Sequence, residues 1–541
     1  MDLRTLAALG LSIAAFTPLA WFLLFPPVWR ACGSVLGWYL RRKTEGRRAR
    51  ILEVMNDDIK GWQIRNPEQK ESDDEDWEKL SGHAVGSSTN GDKADRDFDG
   101  VIGFFHPFCN AGGGGERVLW VAIRATQKRW PNAKCIVYTG DHEVNKDAIL
   151  KNVQKRFNIH LHPPTVAFVY LSTRHWVLAS TWPQFTLAGQ ALGSMIMAWD
   201  AFSLMVPDVF VDTMGYAFAQ GLSKWLFRDV PTGAYVHYPT ISTDMLSSLD
   251  PKSAVGSQGV NAGKGAGTKG LVKKLYWKLF AYFYSKTGSS IDIVMTNSSW
   301  TQGHIQQLWA ASRMDKKQRN PIAVVYPPVA VTEMEKEIEV SPESEKKREK
   351  AIVYIAQFRP EKNHDLIIRS FAEFLQRKSK ASESAKLVLV GSVRDNHDSK
   401  RVYNLRLLVN ELHIRDRVEF HLDATWDEVL ECFRKASVGV NGMWNEHFGI
   451  GVVEYQAAGL ISVVNNSGGP KMDIVTDIDG EPTGFHATTS TEYAEAFEKA
   501  LSLPDPLAVR QRARISAKRF TEEAFAKSWI TQMEKLVDMR A

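Results

Sequence analysis

Cysteine is scarce in this chain: Cys32, Cys109, Cys135 and Cys432 are the 4 in 541 residues, far apart and never in a C-x-x-C pair. That spacing argues against a disulfide framework or a zinc site and suits a reducing compartment. A dominant charge is also missing. Lys+Arg 67 against Asp+Glu 62 leaves a formal +5, too weak to argue for nucleic acid, and no nucleic-acid signature accompanies it. The dinucleotide fingerprint G-x-G-x-x-G with a matching ribose-binding acid is not evident either.

What is present begins with length. At 541 residues the chain is too long for one ordinary core, and 44% hydrophobic with 24% charged residues is an ordinary globular composition. From Thr5 to Trp29 runs a stretch of 25 residues without a formal charge, long enough to cross a hydrocarbon core of ~30 Å as a helix. Arg41, Arg42, Lys43, Arg47, Arg48 and Arg50 follow it, against only Arg4 in front. The positive-inside rule then puts the bulk of the chain in the cytosol. A cleaved signal peptide fits less well, because the run exceeds the usual ~7–15-residue apolar region. We therefore expect a membrane anchor over 1–40, and a basic stem with a flexible acidic linker over 41–99.

Beyond residue 100 short apolar runs alternate with helical patterns. Val101–Phe105, Cys135–Tyr138, Val166–Tyr170, Val209–Val211 and Ala234–Val236 read as strands, and Glu116–Trp130 as a helix. After a charged stretch near residues 330 to 350 a second set follows: Ile352–Ile355, Leu387–Val390, Val438–Val440 and Ser462–Val464. The pattern predicts an α/β protein of two halves, 100–335 and 336–541, with a ligand in the cleft at the carboxyl ends of parallel strands. Ser253 to Gly270, with Gly263, Gly265, Gly267 and Gly270, reads as a mobile loop. Leu271–Tyr284 and Trp176–Leu222 are unusually rich in apolar and aromatic residues, as core elements or as surfaces that touch a membrane.

Chemistry concentrates in a few places. Glu446 and Glu454 bracket Phe448, Gly449, Ile450 and Gly451 at what reads as a helix start. There, free N–H groups and the helix dipole would favour a diphosphate, and the two carboxylates could grip sugar hydroxyls and a ribose diol. Arg359 and Lys362 follow the strand Ile352–Ile355 and can neutralise a leaving diphosphate. Asn466-Ser467-Gly468-Gly469-Pro470 is a further glycine-rich turn, a source of backbone donors or a plain connection. In the first half His106 leads into Gly112, Gly113, Gly114 and Gly115, four glycines best explained by a close backbone approach to phosphate or sugar. His237 ends another strand and would point into the same cleft.

Glu446 and Glu454 with Arg359 and Lys362 resemble the donor site of the retaining glycosyltransferases of family four, which have the GT-B fold of two Rossmann-like domains facing a central cleft. The stretches His106–Trp120 and His237–Ser242 are similar to the α-1,2-mannosyltransferases of the endoplasmic reticulum that extend the dolichol-linked trimannosyl core oligosaccharide. The resemblance covers roughly residues 100 to 530 and the amino-terminal anchor. It implies GDP-mannose as donor and a dolichol-diphosphate oligosaccharide as acceptor. It also implies two successive α-1,2 additions for asparagine-linked glycosylation, and catalytic domains on the cytosolic face of the endoplasmic reticulum membrane. Other mannosyltransferases of the same pathway are then candidate partners, and the final helix should pack back on the first half. Carried over by position, the donor would be held by Gly113, Gly114, Arg359, Lys362, Phe448, Gly449, Ile450 and Glu454. Glu446, Arg359, Lys362 and His237 would be catalytic, and His106, Gly112 and His237 would meet the acceptor. No metal and no cofactor is expected, because two cations stand in for the metal. Asp74–Asp76 and Asp477–Asp479 satisfy the D-x-D pattern of metal-dependent transferases, but neither follows a strand. Two alternatives remain: a related transferase with another nucleotide sugar or lipid acceptor, and an inactive regulatory subunit.

Overall fold

The computed structural model describes residues 26–65, 98–250, 252–253, 267–314 and 320–540. The uncharged run up to Phe25, the stretch 66–97 with Asp74–Asp76, and most of the 253–270 loop lie outside them. No described helix is long and apolar enough to cross a membrane.

The first sheet holds seven parallel strands in the order β3-β2-β1-β4-β5-β6-β7. They are β1 (Val101–Phe105), β2 (Lys134–Thr139), β3 (Val166–Tyr170), β4 (Val209–Asp212), β5 (Thr232–Val236), β6 (Ile293–Thr296) and β7 (Ala323–Val324). The second holds six in the order β10-β9-β8-β11-β12-β13, all parallel. They are β8 (Ala351–Ile355), β9 (Lys386–Gly391), β10 (Val418–Leu422), β11 (Val438–Asn441), β12 (Ile461–Asn465) and β13 (Gly484–Ala487). Every residue of β1, β4, β5, β11 and β12 is buried. That is why these strands read as unbroken apolar runs: helices cover both faces of a parallel sheet, so no side is left for polar alternation. In each sheet the order reverses beside the central strand, between β1 and β4 and between β8 and β11, and the carboxyl ends there form a crevice.

Helices fill the layers around the sheets. Helix α1 (Pro26–Arg65) is 40 residues long, and the expected boundary between anchor and stem at residue 40 falls inside it. The stem is thus one docked helix. Leu40, Thr44 and Met55 are buried, and Arg48 pairs with Asp208 at 2.7 Å. Helix α2 (Gly114–Arg129) follows β1, α3 (Thr186–Leu204) precedes β4, and α4 (Ala217–Leu226) follows it. Helix α5 (Gly267–Gly288) begins inside the expected loop, so Gly267 and Gly270 are helical. In the second half α6 (His364–Gln376) follows β8 and α7 (Ile450–Ala457) follows β11. The last helix, α8 (Glu522–Asp538), returns to the first half. Phe525, Trp529, Met533 and Leu536 sit in the core of the first sheet, with Trp529 stacked 6.4 Å from Phe104. Arg117 and Arg124 of α2 hold Glu522 at 2.5 and 2.6 Å.

Candidate active site

On the first half the site grows from the end of β1. His106 is fully buried, with Nδ1 2.7 Å from the Thr213 hydroxyl and Nε2 3.6 Å from Glu116 Oε1. Its partners tie it to the end of β4 through Thr213 and to α2 through Glu116. Gly112 has φ +83, where a side chain would be strained, and a Cβ would also strike the Arg156 guanidinium. Gly113 caps α2 and donates its N–H to Glu116 Oε2 at 2.5 Å. Burial raises the Glu116 carboxyl, but His106 and the Gly113 amide outweigh it and hold it below the usual range.

His237 sits at the end of β5, and its Nε2 lies 3.0 Å from the Thr213 carbonyl. A carbonyl only accepts, so Nε2 carries the proton and Nδ1 is left as an acceptor. Burial, helped by His106, pushes the imidazole down to about 4, which keeps it neutral at physiological pH. Thr213 therefore serves both histidines at once, through its hydroxyl and through its carbonyl. Sequence reasoning missed it; its place two residues beyond the strand read as Val209–Val211 was the available signal.

On the second half Arg359 caps a single 3-10 turn at Pro360–Lys362, and Lys362 ends it. Lys362 Nζ donates to Glu446 Oε2, and its carbonyl accepts from the Tyr354 hydroxyl at 2.5 Å. Burial raises the Glu446 carboxyl, while the Lys362 ammonium and, more weakly, Asn441 bring it below its ordinary value, so it is charged. Among the described residues Arg359 has only Glu361, at 3.8 Å, for an ion pair, and its Nε is buried without a hydrogen-bond partner there. Glu454, on α7, is different: burial lifts it to about 7 against a weaker pull from Arg117. Among the described residues no cation forms an ion pair with it.

The glycines of this half let backbone pack on backbone. Gly449 caps α7 at φ +109, a conformation open to glycine. The Gly469 N–H donates to the Glu446 carbonyl at 2.8 Å, and a Cβ on Gly469 would stand 2.6 Å from Phe448 Cα. The Asn466–Pro470 turn thus braces the 445–449 loop, and the Gly469 donor is spent there.

The halves meet closely. A Cβ on Gly114 would lie 2.5 Å from Ile450 Cδ1, so the amino ends of α2 and α7 face each other with only glycine between. Both ends offer free N–H groups and positive dipole ends to an anion. Around them His447 lies between Tyr238, at 4.1 Å, and Trp300, at 5.4 Å. Asn445 donates to Asp244 at 2.6 Å, and Asp473 receives the Ser299 N–H at 2.9 Å and the Tyr326 hydroxyl at 3.0 Å. These clamps across the cleft join positions 147 to 201 residues apart in sequence, so no local motif announced them. Asp477 and Asp479 are exposed on a turn. Among the described residues no group of His, Cys, Asp and Glu could hold a metal ion.

Two family models match the chain: ALG11 mannosyltransferase N-terminus over residues 99–309, and Glycosyl transferases group 1 over residues 335–520. A GDP-Man:Man(3)GlcNAc(2)-PP-Dol alpha-1,2-mannosyltransferase of Neurospora crassa is 69% identical, over 96% of this chain and 95% of that protein. Proteins of the same name from Homo sapiens and Dictyostelium discoideum are 46% and 44% identical; each match covers 81% of this chain, and 87% and 85% of theirs. Among solved structures, Anabaena Alr3699/HepE in complex with UDP and glucose matches with a TM-score of 0.52 at 14% identity, over 81% of this chain and all of that one. The Candida albicans trehalose-6-phosphate phosphatase N-terminal domain matches with a TM-score of 0.59 at 12% identity, over 84% of this chain and 99% of that one. At such identities these two bear on the fold alone, two parallel-sheet α/β domains of the GT-B kind.

Proposed function

The chain belongs to the family of GDP-Man:Man(3)GlcNAc(2)-PP-Dol alpha-1,2-mannosyltransferases and is a glycosyltransferase, and from that premise we propose how its cleft works. It transfers mannose from GDP-mannose, with retention, to the dolichol-diphosphate-linked trimannosyl core oligosaccharide, and does so twice in succession. It works on the cytosolic face of the endoplasmic reticulum membrane, held by the uncharged run Thr5–Trp29, in the service of asparagine-linked glycosylation.

The observation that carries this reading is the Lys362–Glu446 pair, whose Glu446 lies four residues before α7. A nucleoside diphosphate sugar has three things to satisfy: a diphosphate, a sugar and a ribose diol. The diphosphate gains Arg359, whose Nε lacks a partner, together with Lys362 and the N–H groups of Phe448–Ile450. As the bond to the sugar breaks, charge grows on the β-phosphate, and fixed cations and dipoles are worth most at that moment. The sugar hydroxyls hydrogen-bond to the Glu446 carboxylate, which Lys362 keeps charged and oriented. The ribose diol donates to Glu454, a half-buried carboxylate without an ion pair among the described residues. Gly113 and Gly114 let the donor approach α2. His237, neutral and with Nδ1 open as an acceptor, touches the reacting sugar or the acceptor; Gly112 borders the acceptor path. His106, on the acceptor side of the cleft, holds Thr213 and Glu116 in place. Retention needs no protein nucleophile if the acceptor attacks the face the diphosphate leaves, with a phosphate oxygen taking its proton. Two cations and two helix ends supply the positive charge that a metal would otherwise bring, so transfer is metal-independent on this reading.

The test is transfer by the purified full chain from GDP-mannose to a diphospholipid-linked trimannosyl acceptor, with and without EDTA. One or two α-1,2-linked mannoses formed in EDTA, and lost in Glu446→Ala and Arg359→Ala, support the reading. Transfer from another nucleotide sugar alone would keep the donor site and overturn the named substrate.

A further inference from the structure

Helix α5 buries Trp277, Phe280 and Tyr284 against the first half, a stripe at i, i+3 and i+7. A surface helix of that kind normally turns a polar face outward. The opposite face of α5 instead carries Leu271, Val272, Leu275, Leu279, Tyr282 and Phe283, each between 43% and 69% exposed. Lys278 and Lys286 are the charges within this outer stripe, and no acid interrupts it. Helix α3 extends the surface: Phe185 at its cap, Leu192 and Trp199 recur every seventh residue and are exposed. The two helices are joined where the Phe185 ring meets Tyr276 at 5.2 Å and the Ala188 N–H donates to the Tyr276 hydroxyl at 2.9 Å. An exposed apolar surface of this extent marks a partner.

We propose that the outer faces of α3 and α5 form a membrane-docking surface, lying in the headgroup region of a bilayer with Leu, Phe, Tyr and Trp side chains inserted in the plane. Three observations select a bilayer. The stripe pairs apolar residues with lysines alone, which can reach up to lipid phosphates while their stems stay among the chains. Next to it stands α1, whose Trp29 stacks 4.7 Å from Trp225 of α4. Along α1 exposed Trp29, Trp38 and Tyr39 come first, and exposed Arg41, Arg42, Lys43, Arg47 and Arg50 follow, the order of an aromatic belt and then a basic flank at a membrane surface. Finally, α1 continues directly from the uncharged run. A second copy of the chain would instead set Lys278 and Lys286 against their own equivalents. The acidic stretch 66–97 has few apolar residues with which to cover six apolar side chains.

The inner face of α5, opposite the docked one, packs on the segment that follows His237, since the Thr240 N–H donates to the Tyr284 hydroxyl at 3.4 Å. Resting on the reading of a lipid-linked acceptor, this leaves the thickness of α5 between the His237 segment and the membrane from which the acceptor projects.

The experiment uses the full chain in phospholipid vesicles containing anionic lipid, in a Cys32→Ser, Cys432→Ser background. A nitroxide is placed through Leu275→Cys or Trp199→Cys, with Tyr403→Cys in the second half as control. Collisions with oxygen and with a water-soluble nickel chelate report depth. Oxygen-rich, nickel-poor spectra at 275 and 199, against the reverse at 403, are expected. Nickel accessibility at 275 and 199 equal to that at 403 would overturn the proposal. So would shielding that persists without lipid, or a short distance between labels of two chains. As a second readout, Leu275→Asp with Leu279→Asp should lower transfer to a vesicle-borne acceptor at least about tenfold and leave transfer to a water-soluble, short-chain acceptor unchanged. If the parent chain mannosylates neither acceptor, the functional reading fails while the depth measurement still decides the docking.

Discussion

Glu446 and Glu454 are two carboxylates on one segment whose surroundings drive them apart. Lys362 holds the first charged and below its usual range; burial leaves the second at about 7. Replacing Glu446 by Gln keeps the shape but removes the charge that orients the sugar, and a loss of about 10²–10³ in kcat is expected, read as turnover at saturating GDP-mannose. Glu454 should instead control affinity. A ribose diol is gripped by the carboxylate form, so KM for GDP-mannose should fall as pH rises through about 7. Glu454→Gln should flatten that profile. The same group has the opposite effect on the empty protein. Its folded value lies above the unfolded one, so its contribution to stability is fully present below the unfolded value and lost as pH rises through about 7. The melting temperature of unliganded Glu454→Gln, compared with the parent, should therefore gain more at pH 8 than at pH 5.

At the scale of elements, the opposed starts of α2 and α7 matter more than either helix alone. Their close approach rests on Gly114, where a Cβ would lie 2.5 Å from Ile450 Cδ1. Gly114→Ala should weaken donor binding by forcing that side chain aside. Ile450→Val in the same chain should recover part of the loss, because it shortens the obstructing atom chain. Isothermal titration with GDP on the single and double variants checks this, and failure of the double variant to improve on Gly114→Ala would count against the geometry. Gly112→Ala acts differently: it adds backbone strain at φ +83, about 1–2 kcal/mol, and pushes the Arg156 guanidinium aside, read together as a lowered melting temperature. The stem is an element of which the sequence revealed little. From residue 41 to 65 its charges are spread around the helix without a clear apolar stripe, because it docks through few side chains, among them Leu40, Thr44 and Met55, and through the Arg48–Asp208 pair.

For the whole molecule, the chain's last helix belongs to the first half's core. Trp529 is fully buried and its Nε1 donates to Thr126 at 3.2 Å. Trp529→Ala removes a large core side chain and should destabilise the protein by about 3–5 kcal/mol. Chemical denaturation followed by α2-side and β8-side probes should show the first half losing stability, although the substitution lies near the carboxyl end. Unchanged stability of the first half would mean that α8 does not close it.

By itself the sequence determined what local chemistry can write. Val101–Phe105, Val209–Val211, Ile352–Ile355 and Ser462–Val464 read as buried strands because both faces of a parallel sheet exclude water, which leaves an apolar run bounded by turn residues. Gly112–Gly115 and Gly449–Gly451 read as turns of close backbone approach, and in the structure Gly112 and Gly449 take positive φ while Gly114 faces Ile450. Strands at or near the sheet edges escaped: β7 is two residues long, β13 is four, and β10, VEFHL, keeps polar residues on a half-open edge. Tertiary structure alone decided the contacts between distant segments. Lys362 and Glu446 are 84 residues apart, and Asp244 and Asn445 are 201. Thr213 acquires its double task only when β1, β4 and β5 lie side by side. Periodicity records how much a segment must bury; it holds no record of which other segment buries it, and so the partner of each charged group waited for the fold.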